Sequence, residues 1–165
     1  MTVYLNRRTF VVASSALVAT GLGAVSSANA QTTHMVEMLN VSPDNPRLRN
    51  VFEPRLLVVQ PGDTVSFVSV NPSHNSASAD GMIPEGAEPW ASQISQGIDV
   101  TLTVPGFYGY NCTPHLGLGM VGLIVVEGDG MMDNLEAAQA VRQRGMAARV
   151  WDEIWAEATE QGLLG

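Results

Sequence analysis

The sequence predicts an all-β sandwich that ends in two short α-helices, and three observations carry that prediction. Short runs alternate between apolar and polar residues, as a half-buried strand requires. Pro-Gly pairs interrupt these runs at Pro61-Gly62 and Pro105-Gly106. From Asp133 onward the period changes from two residues to that of a helix. Between His34 and about Glu127, the first strand is expected around Val36, Met38 and Asn40-Val41, and a second at Leu56-Leu57-Val58-Val59. Thr64 to Val70 alternates cleanly, with Val65 and Phe67 on one parity, and Asp99 to Val104 does the same. Phe107 to Tyr110 leads into Cys112, and Val121 to Val126 forms an apolar run closed by Gly128. Several short strands separated by turns indicate a sandwich. In the tail, Asp133-Asn134-Leu135-Glu136 has the spacing of a capping box. Ala137 to Arg142 continues with good helix formers, and Gly145 breaks the run. A second helix is expected from about Met146 to Glu160, with Val150, Trp151, Ile154 and Ala158 on one face.

The chain has 165 residues, the size of one domain. Residues 1–30 read as an export leader. Arg7-Arg8 precede an apolar run from Phe10 to about Val25, and Ala28-Asn29-Ala30 supplies small residues at a cleavage site. The paired arginines suit a twin-arginine signal, although Asn6 replaces the usual Ser or Thr and leaves the general route open. The apolar run is short for a membrane span, which argues against an uncleaved anchor. Cleavage after Ala30 would leave residues 31–165 as a single domain, with 133–160 as its helical tail, in the periplasm. Removing Arg7 and Arg8 from the 8 cations leaves six against 16 acids, a formal charge of −10. All the cations are arginine. So acidic a chain is not built for nucleic acid or for stable attachment to an anionic membrane.

One cysteine cannot form an internal disulfide, and a bare thiol is a liability in an oxidising compartment. Cys112 is therefore either buried and inert or held by a metal. Its neighbours favour the metal. Cys112-Thr113-Pro114-His115 followed by Leu116-Gly117-Leu118-Gly119-Met120 places a thiolate, an imidazole and a thioether in one loop between two apparent strands. Two histidines, one cysteine and a weak axial methionine form the ligand set of a blue-copper site. The second imidazole must come from His34 or His74. His34 lies close to the expected mature terminus, where chains are usually loose. His74 follows an alternating strand and is the expected ligand. Singly, a core cysteine, a surface histidine and a packing methionine are each unremarkable; the combination is what points to copper. Soft sulfur suits Cu(I) and nitrogen suits Cu(II), so a stiff mixed site serves electron transfer. With every position filled, the site has no place for substrate. The expected function is a one-electron carrier and not an enzyme.

From about Val36 to Gly162 the sequence resembles the pseudoazurin branch of the cupredoxin family. The resemblance rests on the copper loop from Cys112 to Val121, on Gly81-Met82-Ile83-Pro84-Glu85-Gly86-Ala87-Glu88, on Val51-Phe52-Glu53-Pro54, on Pro61 to Val65, on His74-Asn75 and on the two terminal helices. It implies an eight-stranded Greek-key sandwich, one type 1 copper, and electron donation to a denitrification enzyme, chiefly copper nitrite reductase. A cytochrome or quinol-linked donor and a monomeric state are expected with it. Two departures stand out. Relatives carry lysines around the copper site that meet an acidic partner, whereas Pro72 and Asn111 occupy two such places here and the chain has no lysine. Electrostatic steering of that kind loses its support. Glu37 stands where relatives have a non-ligand histidine, so a pH effect owed to that histidine should not carry over.

Around the ligands, Asn75 is expected to tie the two ligand segments together by side-chain hydrogen bonds, the bland alternative being an ordinary turn residue. Pro114 lacks an N–H and cannot donate to the Cys112 sulfur. His115, ringed by Leu116 and Leu118, is expected to reach the surface as the electron port, with Met82 and Pro84 extending an apolar docking patch. The alternative is that these apolar residues are core. Among rival functions, a multicopper enzyme needs more histidines than the 3 present. A copper buffer or chaperone would hold its ligands more openly. A route to a cytochrome oxidase or a photosynthetic chain would change only the partner.

Overall fold

The computed structural model describes residues 31–165, so the expected leader lies outside the described residues. Two four-stranded sheets face each other. The first has the order β2 (Arg49–Glu53), β1 (Thr33–Val41), β4 (Thr64–Val68), β6 (Ile98–Thr101). The second runs β3 (Leu56–Val59), β8 (Val121–Val126), β7 (Gly106–Asn111), β5 (Ala77–Ser78). Sequence neighbours cross between sheets, so β1 pairs in parallel with β4 and β3 pairs in parallel with β8. This is the expected Greek-key sandwich.

Side-chain parity explains what each sheet buries. In β4, Val65 and Phe67 point inward while Thr64, Ser66 and Val68 do not. On β7 and β8, Tyr108, Tyr110, Ile124 and Val126 join Val36, Met38, Phe52 and Phe67 in the core between the sheets. The opposite parity, Phe107, Leu123 and Val125, is buried as well, because helices cover that outer face. Helix α1 spans Leu135–Ala140 and α2 spans Gly145–Glu160. Ala147, Trp151, Ile154 and Ala158 recur at helical spacing and seat α2 on β8. A fully buried Ile, Leu or Phe contributes roughly 1.5–3 kcal/mol. The tail thus packs on the outer face of the second sheet, and β8 is buried along all of its length.

Several boundaries differ from expectation. β4 ends at Val68 rather than Val70, and β6 ends at Thr101 rather than Val104. Strands β2 and β5 had no alternation strong enough to announce them. The expected capping box does not form: neither terminus of the segment Met131–Ala140 carries a side-chain cap. The Asn134 amide instead accepts from Phe107 N at 2.9 Å and donates to Phe107 O at 2.8 Å. It thus satisfies the backbone of β7 in the way a neighbouring strand would, a pairing that local spacing cannot foresee.

Candidate metal centre

At one end of the sandwich three donor atoms converge. His74 Nδ1 lies 3.1 Å from His115 Nδ1 and 3.7 Å from the Cys112 sulfur, and His115 Nδ1 lies 3.4 Å from that sulfur. One ligand atom from each of these residues falls within 4.8 Å of the others. Met120 is buried beside Cys112 in the inter-sheet core. Cys112 immediately follows β7, and Met120 immediately precedes β8. The intervening residues Thr113–Leu118 form a 3-10 turn with Pro114 in its first turn. Because β7 and β8 pair directly, with Asn111 opposite Val121, the ends of this loop are fixed by the sheet. Across the loop base, Cys112 N donates to Met120 O at 3.0 Å, and Met120 N donates to His115 O at 3.2 Å.

His74 comes from the segment between β4 and β5, and its side chain is fully buried. Its Nε2 donates to the side-chain oxygen of Asn40 at 2.8 Å. That bond places the proton on Nε2 and leaves the Nδ1 lone pair facing the other donors. Asn40 is itself held, since Asn71 Oδ1 accepts from its backbone N–H at 2.8 Å. Sequence reasoning did not find Asn40. The available signal was an asparagine inside a strand, a residue depleted there. Burial, and then the nearby charge of His115, pushes the His74 imidazolium to a lower pKa, so the neutral, metal-binding form is favoured. Burial pushes the Cys112 thiol up, partly opposed by backbone N–H groups of Asn75 and His115. A metal taking this site must therefore displace the thiol proton.

Asn75 bridges the two segments. Its Oδ1 accepts from Thr113 N at 2.8 Å, while its Nδ2 donates to Thr113 Oγ1 at 3.2 Å and to Ser92 O at 3.2 Å. Thr113 and Ser92 had not been singled out. The donor set fits copper: two imidazole nitrogens and a soft thiolate are turned on one point, with a thioether in the same core.

The expected apolar patch is smaller than the sequence suggested. Leu116 and Leu118 are 37% and 56% exposed, and His115 is half-buried beside them. Met82 and Pro84 do not extend the patch, for both are buried. Met82 fills the space left by Gly109, where an added Cβ would meet its sulfur at 3.0 Å and its Cβ at 2.8 Å. Pro84 packs against Gly106 in the same way. The two glycines on β7 admit these side chains, a complementarity that neither segment reveals alone. Leu118 also borders an open groove of about 760 Å3 between β2 and α2, lined among others by Arg47, Arg49, Asp44 and Glu53.

The comparisons agree with this geometry. The model of the "Copper binding proteins, plastocyanin/azurin family" matches residues 36–127. A pseudoazurin of Paracoccus pantotrophus is 40% identical over 129 residues, spanning 78% of this chain and 86% of the relative. The chain belongs to the pseudoazurins. A putative pseudoazurin of Rhizobium leguminosarum bv. viciae is 36% identical over 90% of this chain and 91% of its own length. Among solved structures, a pseudoazurin from Sinorhizobium is 43% identical with a TM-score of 0.71, covering 77% of this chain and 96% of that one. The refined structure of pseudoazurin from Methylobacterium extorquens AM1 gives 36% identity and a TM-score of 0.69, over 76% and 98% respectively. Pseudoazurins are copper proteins that carry electrons and work with redox partners, and membership in the family makes copper the cofactor of this chain.

Proposed function

We propose that this protein is a periplasmic one-electron carrier in which His74, Cys112, His115 and Met120 hold a single type 1 copper, and that it delivers electrons to a denitrification enzyme such as copper nitrite reductase. The observation that carries the ligand assignment is the convergence of His74, Cys112 and His115 ligand atoms within 4.8 Å at the end of a rigid sheet. When bound, copper supplies the Cu(I)/Cu(II) couple. The chain does the rest. Asn40 orients the His74 ring, and Asn75 locks the His74 segment to the Cys112 loop, so the donor atoms keep their places in both oxidation states. Fully buried Cys112, His74 and Met120 exclude water, and His115 alone of the four reaches the surface.

Leu116 and Leu118 around His115 form the docking patch, where small apolar contacts let a partner approach the ring edge. Arg47, Arg49, Asp44 and Glu53 line the same groove as Leu118, so charges of both signs meet there. Docking then rests on apolar contact more than on a single-sign field. A cytochrome or quinol-linked protein would supply the electron, with the carrier acting as a monomer. Export depends on residues 1–30 being a cleaved leader, by either the twin-arginine or the general route.

The test is an optical spectrum of purified residues 31–165 after addition of Cu(II). Intense blue thiolate-to-copper absorption, lost in Cys112→Ser, is expected. Reduced protein mixed with copper nitrite reductase and nitrite should then regain its colour. Folded, copper-treated protein without the band would overturn the ligand assignment, whereas a blue protein that nitrite reductase fails to oxidise would overturn only the partner.

A further inference from the structure

The terminal helix α2 lies beyond the segment shared with the wider plastocyanin/azurin family, which ends at residue 127. Even so, it touches the ligand loop. The point of contact is Gly119, which closes the 3-10 turn in the left-handed region at φ 86°. A Cβ built on Gly119 would stand 2.9 Å from Val150 Cγ2 and 3.3 Å from the Met146 carbonyl oxygen. At those distances the Gly119 backbone lies directly against the helix. A Cβ built on Gly117, two residues earlier, would meet nothing within 4 Å. A side chain would find room at Gly117 but not at Gly119, the residue before Met120.

We propose that Val150 is a positioning residue for the metal centre: by seating Gly119, it sets where the Met120 side chain stands relative to the other donors. The inference rests on the reading of Met120 as the axial ligand. A thioether would be the weakest donor to a copper held here, and the potential of such a site is tuned by that donor, so where the backbone holds Met120 would bear on the potential. From the sheet side, Cys112 N holds Met120 O at 3.0 Å. From the helix side, Val150 closes on Gly119. The backbone between Gly119 and Met120 is thus held between Cys112, just after β7, and α2. Val150 is only half-buried, whereas Ala147, Trp151, Ile154 and Ala158 of the same helix are buried against β8. Val150 therefore packs at the margin of that cluster and adds less to helix seating than they do, while its Cγ2 faces Gly119.

The experiment compares Val150→Ala, Val150→Ile and Ile154→Val in residues 31–165. Ile154→Val trims the helix packing without touching Gly119. Three readouts are taken: the ratio of the visible charge-transfer bands of the Cu(II) protein, the midpoint potential by voltammetry, and amide hydrogen exchange at Gly119 and Met120 in metal-free protein. Val150→Ala should shift the band ratio and the potential and speed exchange at both amides. Val150→Ile should return all three toward the unmodified values, and Ile154→Val should leave the band ratio unchanged. Unaltered values in Val150→Ala, or shifts matched by Ile154→Val, would overturn the proposal. Absence of a blue band in the unmodified protein would remove the ligand reading alone. Exchange in the metal-free protein would still decide whether Val150 holds the loop.

Discussion

The side-chain oxygen of Asn40 lies 2.8 Å from His74 Nε2, and this one bond selects the tautomer that turns the Nδ1 lone pair toward Cys112 and His115. Replacing Asn40 with Ala leaves the buried His74 N–H without its acceptor and the ring free to tilt. Loss of a hydrogen-bond partner behind a metal-binding histidine typically weakens metal affinity about 10–100-fold. The same fall is expected in Asn40→Ala, read by competition with a chelator of known affinity, with the blue absorption retained at saturating copper.

Pro114 occupies the first turn of the ligand loop and contributes no N–H there. Pro114→Ala adds a donor close to the Cys112 sulfur. A hydrogen bond to the thiolate withdraws charge from the metal and favours Cu(I). The reduction potential should rise, and voltammetry giving an unchanged or lower value would refute this account.

Leu118 is 56% exposed beside His115 and does not belong to the buried core. A charge placed there must be desolvated whenever a partner closes over the port. Leu118→Glu should therefore slow electron delivery in stopped-flow mixing while leaving absorption and stability near those of the unmodified protein. Full-speed delivery would remove Leu118 from the docking surface.

Far from the ligand loop in sequence, Asp63 receives Gln60 N at 3.0 Å, Thr32 N at 2.9 Å and His34 Nε2 at 2.9 Å. Those bonds, led by the backbone N–H of Gln60, hold its carboxyl below the ordinary value of 3.8. A carboxylate with a depressed folded-state pKa stabilises the fold above its unfolded pKa and loses that contribution as pH falls through the folded one. Unfolding free energy measured in urea should accordingly drop as pH falls below 3.8. In Asp63→Asn that part of the acid limb should flatten, and a limb of undiminished slope would exclude Asp63 as its source.

His34, the alternative candidate for the second imidazole, belongs to this clasp. Its ring is committed to Asp63, while His74 stands beside Cys112. Sequence reasoning separated the two only by distance from the terminus and by the strand ahead of His74. The structure separates them by what each ring touches.

The sandwich class, the strands Leu56–Val59 and Val121–Val126, the amphipathic face of the last helix and the Cys112–Met120 loop were all legible in the sequence. Each is a local pattern, set by period, by turn residues or by donor spacing within a few residues. What only the tertiary structure decided depends on residues distant in the chain. Asn40 meets His74 because β1 and the segment after β4 lie side by side. Met82 and Pro84 leave the surface because Gly109 and Gly106 make room for them. Asn134 holds the backbone of Phe107 where a capping box was expected, and Val150 comes to rest on Gly119. Hydrogen bonds and packing contacts between such pairs carry no periodicity along the chain, and they come into being only when the sheets and the helix close on one another.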